Sequence, residues 1–412
     1  MPQRIDPGAL ATVLPPGGLT LVSSCSAESA VLAEAVMTAG PALGAMTFSG
    51  IFVGGLNRRT WLPGPEARVL TFFQTPELRT VADQVEFLPL CYQDILAELR
   101  RRKPAACLFM CSPPDDNGNC SFGTEVAFIA ELWREIPVRI AHINPNMPRT
   151  PGDPGIPFDE LTAYVEKNQP LLVTSGGKSD PVAEAIAAHL APFVTDGATL
   201  QTGLGKIPDA VLCALTTRRN LSVQTGLMGD GLLELVRSGA MALGPSAVVG
   251  VAIGSAALYD ELGHATFQFR PVSITHGAAR LSAIDNLITI NSAIEVDLFG
   301  QVYVELTPKG LMSGPGGASD FARGARVGGG TRIIALPASA AGGTVSRVVA
   351  PGAAAGPVSL GRMDVDVIVT EHGAADLRGK GYQARAEALI AISAPGHRPG
   401  LAAAWGEYSK RL

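Results

Sequence analysis

Three stretches of this chain put glycines, amides and carboxylates where a ligand or a reacting group could be held. The first is Gln201-Thr202-Gly203-Leu204-Gly205-Lys206, set between an apolar run and a helical one. Glycines there let a ligand approach the backbone, and the first amides of the helix offer an anion or oxyanion site. Close strand–helix packing would ask for the same glycines. The second is Gly314-Pro315-Gly316-Gly317-Ala318-Ser319-Asp320-Phe321. Glycines this dense can turn several N–H groups toward one oxygen-rich ligand, with Asp320 and Arg323 adding a fixed acid and base; a tight surface turn is the plainer alternative. The third is Asn291-Ser292-Ala293-Ile294-Glu295-Val296-Asp297, which alternates as a half-buried strand does and puts Glu295 and Asp297 on one face. Two carboxylates on one face could form an acid/base pair, or Glu295 could be a buried structural acid.

Other chemistry is weaker. No Ser/His/Asp triad is evident. His276, in the stretch Ser273-Ile274-Thr275-His276, could act as a base or as a loop histidine bonded to backbone. Cys107, Cys111 and Cys120 show no CxxC pair and no fourth metal ligand, so the six cysteines are expected to be buried small hydrophobes in a reducing cytoplasm. The cluster Arg100-Arg101-Arg102-Lys103 reads as a solvated helix C-terminus rather than a phosphate patch.

Longer motifs add a family. NSAIEVDLFGQVYVE from Asn291, GPGGASDFARGA from Gly314, TEHGAADLRGKG from Thr370 and RAEALIAI from Arg385 resemble the acetyl-CoA hydrolase/transferase family. Earlier stretches, SGIFVGGLNRR (49–59), SPPDDNGNCSFGTE (112–125) and NPNMPRT (144–150), extend the resemblance over residues 20 to 400 or so. That family includes acetate, butyrate and 4-hydroxybutyrate CoA-transferases, and its fold is of the NagB/RpiA-like CoA-transferase type. The resemblance implies an acyl-CoA substrate with a small carboxylate or water as acceptor, and no permanently bound cofactor. It assigns CoA binding to Gly203, Gly205, Gly254, Asn291, Gly314, Gly316, Gly317 and Asp320. It also exposes a substitution: the family's nucleophilic glutamate, which carries CoA as a glutamyl thioester, falls on Gln268. A carboxamide is a very poor nucleophile, though it still donates and accepts hydrogen bonds. Direct hydrolysis, with Gln268 positioning water or the carbonyl, is the leading expectation, and Glu295 is the nearest substitute carboxylate. A non-catalytic acyl-CoA binder, acting as pseudoenzyme, partner subunit or regulator, is the rival. The family's GGQVDF reads GGASDF here, and His372 takes the place of a common tyrosine.

These residues need a scaffold. The run from Pro16, PGGLTLVSSCSAESAVLAEAV, and the run from Thr195, TDGATLQTGLGKIPDAVLCAL, repeat one pattern of turn, apolar strand, small-residue loop and helix. Gly18 falls against Gly197, Thr20 against Thr199 and Leu21 against Leu200. Two tandem open-sheet α/β domains follow, with a boundary at 178/179, giving 1–178 and 179–412, the second carrying most of the CoA site. At 412 residues, 47% hydrophobic and 17% charged, with a mean hydropathy of +0.24, the chain suits buried parallel strands and a homo-oligomer, dimer or tetramer. A net charge of −5 argues against nucleic acid. The N-terminus has no secretory pattern, and the longest uncharged run, 240–259, is broken by glycine and proline, so neither secretion nor membrane insertion is expected.

Overall fold

The apolar runs become parallel strands because a strand buried on both faces needs no polar alternation. The computed structural model describes residues 1–174 and 180–412. They group into two compact units, one of residues 1–174 with Ala247–Thr275, the other of residues 180–246 with His276–Leu412. The expected boundary at 178/179 lies outside the described residues. The segment Ala247–Thr275 belongs to the first unit although it is far along the chain.

The first unit is built on an eight-stranded, wholly parallel sheet. Its strands are β1 (Gln3–Arg4), β2 (Gly18–Val22), β3 (Met46–Gly50), β4 (Arg68–Thr71), β5 (Val85–Phe87), β6 (Ala106–Cys111), β7 (Val138–Ile143) and β8 (Ala163–Glu166). They lie in the order β1-β8-β7-β6-β2-β3-β4-β5. The chain therefore builds outward from β2 in one direction through β5, then returns to build the other way from β6. The carboxyl ends of β2 and β6 mark the topological switch point, where open α/β sheets bind ligands. Helix α1 (Ala30–Ala39) follows β2, α2 (Pro76–Arg79) follows β4, and α3 (Tyr92–Arg102) precedes β6. All six residues of β6, ACLFMC, are buried. Phe48, Trp61, Leu10, Leu32 and Val69 fill one core cluster, each fully buried large side chain contributing about 2 kcal/mol.

The second unit repeats the plan. Strand β9 (Thr199–Thr202) pairs in parallel with β10 (Ser222–Gln224) on one side and with β13 (Leu287–Ser292) on the other. Beyond β13 come β16 (Thr331–Ala335), β18 (Val367–Thr370) and an antiparallel edge, β19 (Gly373–Asp376). Helices α4 (Pro181–Leu190), α5 (Lys206–Ala214), α6 (Ala318–Val327), α7 (Tyr382–Ala391) and α8 (Arg398–Ser409) belong to this unit. The switch point here is between β9 and β13. The repeat read from the sequence is thus topological as well: β2 and β9 hold the same place, each paired with the next strand in chain order and with the strand that starts the return. Two further strands of the first unit's distal segment, β11 (Ala247–Val249) and β12 (Phe267–Phe269), pair in parallel.

Two smaller expectations are settled by packing. Arg100, Arg101 and Arg102 end α3 in ion pairs with Glu131, Glu135, Glu98 and Glu86, so the basic cluster is a neutralised helix end. Five cysteines are buried, while Cys213 is exposed, and among the described residues all are free thiols. No described helix is long and apolar enough to cross a membrane.

Candidate functional site

At the switch point of the second unit the carboxamides of Gln201 and Asn291 face each other across the ends of β9 and β13. Asn291 Nδ2 donates to Gln201 Oε1 at 2.9 Å, and Gln201 Nε2 donates to Asn291 Oδ1 at 3.3 Å. This reciprocal pair ties the two strand ends together where they diverge. The loop then runs through Gly203 and Gly205 into α5. A Cβ placed on either glycine would meet no described atom within 4 Å. Close strand–helix packing therefore does not explain them. Gly205 has φ +117°, which disfavours any other residue, while Gly203 simply leaves its backbone open. Leu204, Gly205, Lys206, Ser292 and Pro337 line a cavity of about 370 Å³, within the range of small-molecule sites. Lys206 Nζ sits 3.2 Å from Asp180 Oδ2 at its rim.

The glycine-rich loop before α6 has a different reason for its composition. A Cβ on Gly317 would lie 2.6 Å from His276 Nε2, and one on Gly226 would lie 2.4 Å from His276 Cε1. The imidazole is wedged between two glycines and tilted against Phe321, ring centroids 4.6 Å apart and planes inclined by 48°. Burial pushes its pKa down to about 3, so it remains neutral across the physiological range and is a spacer with hydrogen-bonding edges rather than a proton-accepting base. Gly316, at φ +66°, makes the turn into the helix, and Asp320 is buried in the first turn of α6, where a carboxylate complements the helix dipole.

The alternating run 291–297 does not form one strand. β13 ends at Ser292, and Glu295–Asp297 forms β14, in a separate three-stranded sheet with β15 (Val302–Tyr303) and β17 (Val348–Val349). It is buried on both faces rather than half-buried. Asp297 is consumed by structure: it accepts from the Phe299 and Gln301 amides, Gln301 Nε2 and the Tyr303 hydroxyl. Glu295 Oε2 accepts the Ala355 N–H at 3.0 Å. Burial, with the charge of Asp297 next, pushes the Tyr303 phenol up to about 12.

Gln268 is in the first unit, at the centre of β12. Its neighbours Phe267 and Phe269 are fully buried, whereas Gln268 is half-buried on the alternate face. Its Nε2 donates to the Phe267 carbonyl at 2.9 Å, and its Oε1 accepts from Arg270 Nη2 at 3.3 Å. Only one orientation of a carboxamide satisfies both partners. Arg270 Nη1 also donates to the Gly152 carbonyl at 3.1 Å. That contact belongs to a clamp in which Phe269 N–H donates to Pro151 O at 2.7 Å and Asp153 N–H donates to Phe269 O at 2.9 Å. Gly152 has φ +113°, and a Cβ there would lie 2.5 Å from the Phe269 carbonyl oxygen. The stretch Pro151-Gly152-Asp153, inside the Pro/Gly-rich segment 145–159, thus fixes the backbone of Phe269 beside Gln268. Gly254, in the same unit, accepts from Thr174 N–H and donates to the Tyr259 hydroxyl.

Two acids escape sequence reasoning. Asp153 is brought beside Arg270 by the clamp, and burial raises its pKa; no acid near Gln268 in sequence signals it. Glu125 is buried at the first unit's switch point, where Ser24 N–H and Oγ–H donate to its two oxygens at 2.6 and 2.9 Å. Burial raises its pKa to about 7. Its place inside the motif 112–125 was the available signal.

Comparison with known proteins bears on these features. The description "Acetyl-CoA hydrolase/transferase C-terminal domain" matches residues 254–405. The chain is 36% identical over 339 residues to the 4-hydroxybutyrate coenzyme A transferase of Clostridium kluyveri, covering 80% of this chain and 78% of that protein. It is 31% identical to the butyryl-CoA:acetate CoA-transferase of Anaerostipes caccae, over 71% of this chain and 69% of the other. The crystal structure of RipA from Yersinia pestis superposes with a TM-score of 0.89 at 27% identity, covering 99% of this chain and 98% of that one. The 4-hydroxybutyrate CoA-transferase of Porphyromonas gingivalis gives 0.80 at 28% identity, over 100% and 98%.

Proposed function

Because the chain belongs to the acetyl-CoA hydrolase/transferase family, we propose that it cleaves a short-chain acyl-CoA thioester by direct attack of water, with CoA transfer to a carboxylate as the family's alternative outcome. The observation that carries the hydrolytic reading is the seat of Gln268. Its amide hydrogen faces the Phe267 carbonyl at 2.9 Å, so a glutamate held the same way would set a carboxylate oxygen against a carbonyl oxygen. The seat is bonded as an amide seat. A neutral amide forms no acyl anhydride and carries no CoA, so the covalent half-reactions are absent.

In this reading the thioester C–S bond breaks as water adds its oxygen to the acyl carbon, and water's proton ends on the departing thiolate. Gln268, fixed by Arg270 and the Gly152 clamp, uses its remaining N–H to orient the water or the acyl carbonyl. The open amides of Gly203 and Gly205, with Asn291, Gly314, Gly316, Gly317, Asp320 and Gly254, hold the CoA thioester. Glu295 is the carboxylate assigned to the chemistry.

The test is thiol release from a panel of acyl-CoAs with and without acetate. Release that is independent of acetate supports hydrolysis, while acetate-dependent exchange returns the chain to transferase chemistry. Silence with measurable CoA binding leaves only a binder. Borohydride is expected to trap no glutamyl-CoA thioester. A trapped peptide containing Glu295 would show that it has replaced the missing nucleophile.

A further inference from the structure

The first unit holds a second cavity of about 380 Å³, remote in sequence from every residue assigned above. It is lined by Ala33 and Met37 of α1, by Arg58, Arg59, Thr60 and Trp61 in the loop after β3, and by Glu77 and Thr80 at and beyond α2. The loops that follow β3 and β4 meet α1 there, and ligands in open α/β sheets bind outside the carboxyl ends of strands.

Three observations at this cavity are independent of one another. Glu77 Oε2 is buried and has no hydrogen-bond partner among the described residues, a costly state for a carboxylate oxygen unless a donor reaches it. Arg58 is exposed at the mouth and makes no ion pair among the described residues, whereas Arg59 beside it is paired with Glu34 at 3.3 Å. Trp61 is fully buried at φ +57°, a conformation that bulky side chains rarely adopt. Backbone strain of this kind persists where the surroundings over-determine it, and it clusters at ligand sites. Here the strained residue is held by its own indole, whose Nε1 donates to Glu28 Oε1 at 3.3 Å. Glu28 is buried, and Glu77 lies close enough for its charge to act on it.

The cavity therefore presents a cation at its rim, the carboxylate of Glu77 in its lining, and an apolar wall of Ala33, Met37 and Trp61. We propose that it binds a small zwitterion of the amino-acid class, the ligand carboxylate on Arg58 and the ligand ammonium on Glu77, with the carbon chain against Met37 and Trp61. A simple carboxylate would leave Glu77 without its donor, and a simple amine would leave Arg58 idle.

Calorimetric titration of the full chain with 5-aminopentanoate, L-leucine and pentanoate tests this, with tryptophan fluorescence as a second readout. Either zwitterion is expected to bind, and pentanoate to bind at least about tenfold more weakly. Which zwitterion binds more tightly reports whether the charges must be adjacent or apart. Arg58→Ala and Glu77→Gln, checked for unchanged thermal unfolding, should each weaken the zwitterion about tenfold, and Trp61→Phe should abolish the fluorescence change. Equal binding of pentanoate, full binding in both charge variants, or no binding of either zwitterion at about 10 mM would overturn the proposal. None of these readouts depends on acyl-CoA turnover, so they are decided separately from the hydrolytic reading.

Discussion

The two switch points of this molecule have the same topology and opposite contents. After β2 the loop Ser23-Ser24-Cys25-Ser26 is wholly buried, and each of its four side chains finds a hydrogen-bond partner inside its own unit. Ser24 is bonded to Glu125 and to Ile51 N–H, the Cys25 carbonyl to Asn57, Ser26 Oγ to the Ala252 carbonyl, and Ser23 Oγ to the Ala27 carbonyl. After β9 the corresponding loop has two glycines with open space around them and a cavity at its side. One loop has spent its hydrogen-bonding groups on the fold; the other keeps its backbone available. Duplicated topology fixes where a site can form, and the side chains entering from distant segments decide whether it stays open.

This contrast can be broken from the closed side first. Glu125→Ala removes both acceptors of Ser24 and is expected to lower unfolding stability by about 3 kcal/mol, read by urea unfolding at pH 6. The pH dependence follows from the same residue. Its folded-state pKa of about 7 lies above the ordinary carboxyl value, so between these the unfolded chain has released a proton that the folded chain still holds. Stability therefore falls as pH rises from about 4.5 through 7, by on the order of 3 kcal/mol if Glu125 acts alone, and Glu125→Gln should flatten that slope. A profile unchanged by Glu125→Gln would remove Glu125 from the account.

On the open side the effects are smaller in stability and larger in binding. Gly226→Ala drives a methyl group into His276 and should cost about 2 kcal/mol, with Gly226→Ala/His276→Ala recovering most of it in a double-mutant cycle. Gly203→Ala meets no atom and should leave stability within about 0.5 kcal/mol, while weakening acyl-CoA binding by roughly tenfold in calorimetry. If binding survives intact, the open loop is not the thioester's cradle.

Much of the scaffold was legible in the chain, and the reason is local. Continuous apolar runs such as ACLFMC form buried parallel strands, and the pairing of Thr20 with Thr199 and Leu21 with Leu200 named the two central strands, β2 and β9. The Gly203–Gly205 loop fell between a strand and a helix as its pattern required. What was not legible depends on distance along the chain. Ser24 meets Glu125 across 101 positions, and Arg270 meets Gly152 across 118. No periodicity carries such contacts. The run 291–297 misled for another reason: its carboxylates are satisfied by partners elsewhere inside the fold, so alternation did not mean a wet face.

The wedge at His276 has a consequence for descent. Gly226, Gly317 and His276 come from three separate stretches of the chain, yet no one of them is free to vary alone. A side chain gained at either glycine demands a smaller residue at 276, and a smaller residue at 276 opens a void that rewards growth at 226 or 317. Across diverging relatives these three positions should be inherited as one character, and lineages that lose the ring should be those in which a glycine has grown.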